Sequence, residues 1–230
     1  MAKKYAKGVM PPCPGVPEHY DIVDRKGFYY WRRKKGTFKP VQLNEALRQR
    51  SAALKALSPS IRHLRHTLVH CMQPLPSGSL QGNLFKWMQQ SWIDNGTINY
   101  AGLRQQELHE TYTLQRILGA GYHWKREDNI LQLSLSNPAP YAYQFAGPLV
   151  TQFALEAYFI TGIGDGIQYA RQQSSLYDVT KGIDNDCVFE FELSTSDEPW
   201  MLLLKLISFE GKQHAMHPKY YGMRVLEVGG

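Results

Sequence analysis

Cysteine is scarce in this chain, and what there is lacks pattern: three residues, Cys13, Cys71 and Cys187, far apart and without a CxxC spacing. That argues against a disulfide framework or a structural zinc site and implies reduced thiols. Charge is thin too, at 20% of residues, which argues against a disordered or coiled-coil chain. Long apolar runs are missing: the longest, Trp200 to Leu204, falls far short of the roughly 18 residues a membrane helix needs, so no membrane span is expected. The N-terminal cations Lys3, Lys4 and Lys7 precede no apolar segment, so no Sec signal is expected. The cytoplasm is the default location, and export or release by another route the alternative.

Catalytic signatures are absent as well. There is no GxSxG elbow and no HExxH. Gly162-Ile-Gly-Asp-Gly166 has neither phosphate-loop spacing nor a helix pattern after it, and reads as a hairpin turn. Asp184-Asn-Asp186 lacks the further ligands of a calcium loop and reads as a solvated turn. His63, His66 and His70 share one helix face, and the last two have the i, i+4 spacing used for zinc. With no carboxylate beside them, they read as the polar border of a core stripe. The expectation is therefore no catalytic, cofactor-binding or metal-binding residue and a non-enzymatic protein.

What is present is a core and an uneven charge. Hydrophobic residues make up 43% of the 230, ample for one large domain or two small ones, and 14 Tyr within 12% aromatics lean toward strands. Residues 1 to 73 hold 15 Lys+Arg against 4 Asp+Glu, a surplus of +11; residues 74 to 230 hold 11 against 16, or −5. A basic front and an acidic back suit a polyanion partner, or the front of one subunit meeting the back of another.

The charge concentrates in Phe28-Tyr29-Tyr30-Trp31-Arg32-Arg33-Lys34-Lys35. Before it, Pro11, Pro12, Pro14 and Pro17 predict an extended arm, and Tyr20 to Arg33 predicts a β-hairpin turning at Asp24 to Gly27, with Gly27 supplying positive φ. From Val41, Leu43, Leu47, Leu54, Leu57, Ile61, Leu64 and Leu68 recur at helical spacing. Asn44 and Ser58 are possible caps and Pro59 a first-turn proline, so Leu43 to Met72 reads as two helices or one kinked helix. Asn83 to Ile93 predicts another, stopped by Asp94-Asn-Gly96. Beyond about Asn99 the period falls toward two: Leu131 to Leu135, Cys187 to Leu193 and, apolar on both faces except for Lys205, Met201 to Phe209. Glu110 to Leu118, Gln152 to Ile163, Ile167 to Arg171 and Met223 to Val228 are further strand candidates.

The layout resembles a family of uncharacterised bacterial proteins carrying a domain of unknown function. The shared features are Lys7-Gly8, the hairpin Gly27-Phe-Tyr-Tyr-Trp-Arg-Arg-Lys, a Gln/Leu/Arg-rich helical segment from Gln42 to Leu64, and a C-terminal sandwich. The resemblance implies an architecture and supplies no site.

The expected fold is α+β: an extended basic arm and aromatic hairpin (1 to 40), a helical segment (41 to 98) and an antiparallel β-sandwich of immunoglobulin or fibronectin type (99 to 230). The expected role is a structural protein that self-assembles with copies of itself into an oligomer, filament, surface or phage-like assembly. Phe28 to Lys35 would form the contact. Nucleic-acid binding by the same basic, aromatic residues is the alternative, and an enzyme with an unrecognised site the second alternative.

Overall fold

A computed structural model of the chain describes residues 20–26, 28–33, 44–118, 121–136, 149–163, 166–183, 187–193 and 198–229. The fold mixes helices with a curled antiparallel sheet, and so belongs to the α+β class. It has two compact units, Met1–Arg48 and Gln49–Gly230.

The first unit contains the expected hairpin. Strands β1 (Tyr20–Arg25) and β2 (Phe28–Arg33) pair antiparallel, with Arg25 opposite Phe28, so the loop is two residues long. Such loops favour positive φ, and Lys26 adopts it at 57°. The sequence-based assignment of that role to Gly27 falls outside the described residues, as do the proline-rich arm and Val41 to Leu43.

Helix α1 spans Glu45–Met72. The Asn44 side chain caps it, accepting from the Leu47 N–H at 2.9 Å. Pro59 lies inside it, so one continuous helix replaces the alternative of two. Ser58 is no cap there; its hydroxyl donates to the Leu54 carbonyl. The helix passes through Pro59 because its buried stripe does: Ala53, Leu57, Ile61, Leu64, Leu68 and Cys71 form one continuous face. Leu47 and Leu54, expected in that stripe, are exposed instead. Helix α2 (Leu80–Asn95) ends where Gly96, at φ 68°, returns its N–H to the Trp92 carbonyl at 2.7 Å.

One expected strand is a helix. Within Glu110 to Leu118, residues Leu114–Ile117 form the single turn α3. The Glu107 carboxylate accepts from the N–H groups of Leu114 (2.7 Å) and Gln115 (3.1 Å), and the Thr113 hydroxyl from that of Arg116. These local caps override the strand-like residue pattern.

Two sheets follow. The smaller joins β3 (Gly121–Glu127), β4 (Ile130–Ser136) and β8 (Cys187–Glu192). The larger centres on β5 (Gln152–Thr161) and β9 (Trp200–Glu210), paired antiparallel over nine residues. One edge of β5 carries β6 (Gln168–Gln173) and β7 (Tyr177–Asp178) end to end; the far edge of β9 carries β11 (Gly222–Gly229) and β10 (Gln213–His214). This sheet is therefore four strands wide. The sequence pattern of Met201 to Phe209 foretells its place: β9 is buried on both faces.

Alternation along β5 separates the two faces. Phe159 stacks on Phe191 of the small sheet, ring centroids 5.5 Å apart, so the odd-numbered positions face that sheet. Glu156 and Tyr158 face the other way, toward the end of α1, where the Lys205 ammonium donates to the Cys71 carbonyl. The sheets meet again at their edges: the Gln172 amide of β6 donates to the Glu190 carbonyl of β8 at 2.5 Å and accepts from its N–H at 3.2 Å. A single side chain thus takes the place of a strand residue and draws the sheet edge around. Helices and both sheets share one apolar cluster that includes Leu64, Met88, Leu133, Phe189, Leu203 and Val225.

Candidate functional site

The residues singled out from sequence lie on β2. There Tyr29 and Tyr30 are half-buried and Arg32 is exposed. Register sets Asp21 opposite Arg32, Val23 opposite Tyr30 and Asp24 opposite Tyr29. Strand alternation then puts Tyr30 and Arg32 on one face and Tyr29 on the other. Phe28, Trp31 and Arg33 are described as strand backbone; Lys34 and Lys35 lie outside the described residues. The two strands make a sheet of their own, with no third described strand.

A second place was not foreseen. A cavity of about 250 Å³ opens between the end of α1 and the helix-side face of the large sheet. Its floor is charged. Glu156 on β5 stands opposite Lys205 on β9, with Nζ 3.1 Å from Oε2; both are almost wholly buried. Oε2 also accepts from the Tyr158 hydroxyl at 2.7 Å, and Oε1 takes the Arg171 guanidinium from β6. Lys205 makes its further bond, 3.0 Å, to the Cys71 carbonyl. Tyr169 forms part of the wall, its ring centroid 6.2 Å from that of Tyr158 and 6.1 Å from that of His70. His214, on the short strand β10, lines the site as well.

Burial governs the chemistry here. It pulls the Lys205 ammonium below its ordinary range, against the opposing attraction of Glu156. It raises the Tyr158 hydroxyl, helped by the bond that hydroxyl donates to Glu156. It pushes the Cys71 thiol up to about 11, so that thiol is protonated at neutral pH and a poor nucleophile. Among the lining residues two fixed cations face one carboxylate, which leaves the site disposed to hold an anion.

Of the three helix-face histidines, only His70 reaches this cavity; His63 and His66 are exposed on α1. Among the described residues no three His, Cys, Asp or Glu gather as metal ligands would. Asp184 to Asp186 and Gly164-Asp165 fall outside the described residues. No described helix is long and apolar enough to cross a membrane.

The cavity had a signal in the sequence. Gln152 to Ile160, QFALEAYFI, and Met201 to Phe209, MLLLKLISF, are apolar runs that carry one charge each, of opposite sign. Two buried strands with single opposite charges are candidates to pair through them. Arg171 and His214, in polar edge strands, had no such mark.

Compared with models of protein families, with curated proteins and with solved structures, the chain matches none.

Proposed function

We propose that this chain is a non-enzymatic assembly component, in which the β1–β2 hairpin of one copy docks on the acidic exposed face of β8 in the next. The observation that carries the reading is the hairpin itself: a two-stranded sheet in its own compact unit, rich in aromatics on β2. Two strands alone are marginal in water, so such a hairpin gains most of its stability from what it covers.

The acceptor is argued from charge and shape. On β8, Glu190 and Glu192 are exposed, and Val188 and Ile130 beside them are both 46% exposed, lining a groove with Gln172. Carboxylates beside exposed apolar groups complement a strand of tyrosines and arginines. On this reading strands β3 to β11 form an immunoglobulin-like scaffold, and the partners are copies of the same chain.

Sedimentation velocity and electron microscopy of the purified chain at low salt test the proposal. Oligomers or filaments are expected, lost on deleting residues 1 to 38 or in Glu190→Lys/Glu192→Lys, and regained when that variant is mixed with Arg32→Glu/Arg33→Glu. A monomer at high concentration, unaffected by the deletion, overturns it. A salt-sensitive shift of DNA or RNA by the monomer, weakened by neutralising Arg32, Arg33, Lys34 and Lys35, would instead establish the nucleic-acid alternative.

A further inference from the structure

We propose that the cavity between α1 and the large sheet is a binding site for a small organic carboxylate, received by Arg171 and the two imidazoles and laid against Tyr169. The inference is independent of assembly through the hairpin.

The two central strands of the large sheet each carry a buried charge. Glu156 is 1% and Lys205 5% exposed, on strands that are otherwise apolar. A buried ion pair seldom improves on well-packed apolar residues of the same volume, because desolvation offsets the attraction. Stability alone therefore gives little reason for the pair. Its position does: it forms the floor of the cavity, and desolvated ionisable groups with specific charge partners in a cleft make that cleft a candidate binding site.

The groups left unsatisfied in the cavity favour an anionic ligand. Within the cavity Glu156 is already saturated, with Lys205 and Tyr158 on one oxygen and Arg171 on the other. It has little left to offer a cationic ligand. Arg171 is different. Its contacts to Glu156 and Gln173 both use the same terminal nitrogen, leaving Nε and the other terminal nitrogen. Its side chain is 49% exposed, so it reaches the mouth of the site while Glu156 fixes its position. His70, beside Tyr169, and His214 add imidazole nitrogens to the lining, and both are exposed. Positioned guanidinium donors match the oxygens of a carboxylate or a phosphate, and an aromatic wall selects an acid with an organic body.

Size and shape supply the rest. About 250 Å³ lies below the roughly 300–1,000 Å³ of drug-sized pockets, which limits the ligand to a small acid. Tyr169, 42% exposed, offers a flat apolar wall beside the Tyr158 ring for the body of that acid.

Isothermal titration calorimetry on the full chain tests the assignment with sodium acetate, sodium benzoate, inorganic phosphate and benzylammonium chloride. Saturable binding of the two carboxylates is expected, benzoate tighter than acetate, with none for benzylammonium. Arg171→Gln should weaken benzoate roughly tenfold or more. His214→Ala, a change at an exposed position, should weaken it several-fold at an unchanged melting temperature, and serves as the test if Arg171→Gln does not fold. No saturable binding of either carboxylate overturns the proposal, as does binding of phosphate alone, or benzoate affinity that His214→Ala and a folded Arg171→Gln leave unchanged.

Discussion

Glu156 and Lys205 are direct cross-strand partners on the two most buried of the described strands, with 3.1 Å between Oε2 and Nζ. Their surroundings are unequal. Glu156 keeps Arg171 and the Tyr158 hydroxyl if Lys205 is removed, whereas Lys205, with Glu156 neutralised, keeps the Cys71 carbonyl and the face of the Tyr158 ring, 5.8 Å from Nζ, but no charged partner.

That inequality sets an order of stabilities. Glu156→Gln strands a buried ammonium and should cost about 3–5 kcal/mol, the range for breaking one side of a buried pair. Lys205→Met should cost less, since its partner carboxylate stays compensated. The double variant should be more stable than Glu156→Gln alone. Urea denaturation of the three proteins measures the cycle, and equal costs for the two single variants would contradict the asymmetry.

Gln172 offers a second test, of how the two sheets are joined. Its amide makes two bonds to the Glu190 backbone, at 2.5 and 3.2 Å. Gln172→Ala leaves that N–H and carbonyl to water and should cost about 0.5–1.5 kcal/mol. The sharper readout is local: hydrogen exchange at the Glu190 amide should accelerate, while amides of β5 and β9 keep their protection. Unchanged exchange at Glu190 would mean that the edges are held together by other contacts.

These features differ in how far the sequence reveals them. The lengths of β4, β8 and β9 follow from period-two alternation and unbroken apolar runs, and Gly96 marks the end of α2 as composition suggests. Other elements are decided by atoms far apart in the chain. Pro59 suggests a break in α1, yet the burial of Leu57 and Ile61 on either side carries the helix through. Residues 114 to 117 turn into a helix because the Glu107 carboxylate, seven residues back, accepts their N–H groups. The cavity is the extreme case. His70, Glu156, Arg171, Lys205 and His214 come from four strands and a helix; His70 stands out in sequence only as one of three helix-face histidines, and the lone charges of β5 and β9 are the one trace that points to the cavity.

Gly222 ties α3 to the large sheet by lacking a side chain. A Cβ there would stand 2.6 Å from the Leu114 Cα and 2.9 Å from the Thr113 carbonyl oxygen, both backbone atoms that cannot swing aside. Gly222→Ala should therefore force β11 and α3 apart, at about 1–3 kcal/mol, the usual cost of overpacking. Gly211, whose Cβ would meet no atom within 4 Å but which sits at φ 64°, is the control for backbone strain alone. Thermal melts of Gly222→Ala and Gly211→Ala should both show losses. Only Gly222→Ala should also disturb resonances of Leu114 and Ile117, and their silence would refute the packing argument.

The Cys71 thiol makes the fold less stable as pH rises above 9. Its ordinary value is 9.0, and burial pushes it up to about 11 in the folded protein. The thiol is protonated in both states below pH 9. Between 9 and 11 the unfolded chain ionises while the folded one does not, so the unfolded state gains and stability falls as pH rises. The full difference of about two units corresponds to roughly 2–3 kcal/mol. Lys205 acts in the opposite sense: burial lowers its pKa, so raising the pH toward its ordinary 10.5 relieves the cost of keeping it charged. Tyr158, Glu156, Arg171 and His70 also border the thiol's side of the cavity, and a Cys71→Ala variant retains all of them. The comparison therefore isolates the thiol: from pH 9 to 11 the stability of the unsubstituted chain should fall more steeply than that of Cys71→Ala. Denaturation midpoints at intervals across that range measure both slopes. Parallel curves would mean that the thiol ionises equally in the two states, and rapid labelling of native Cys71 by iodoacetamide at pH 8 would point the same way.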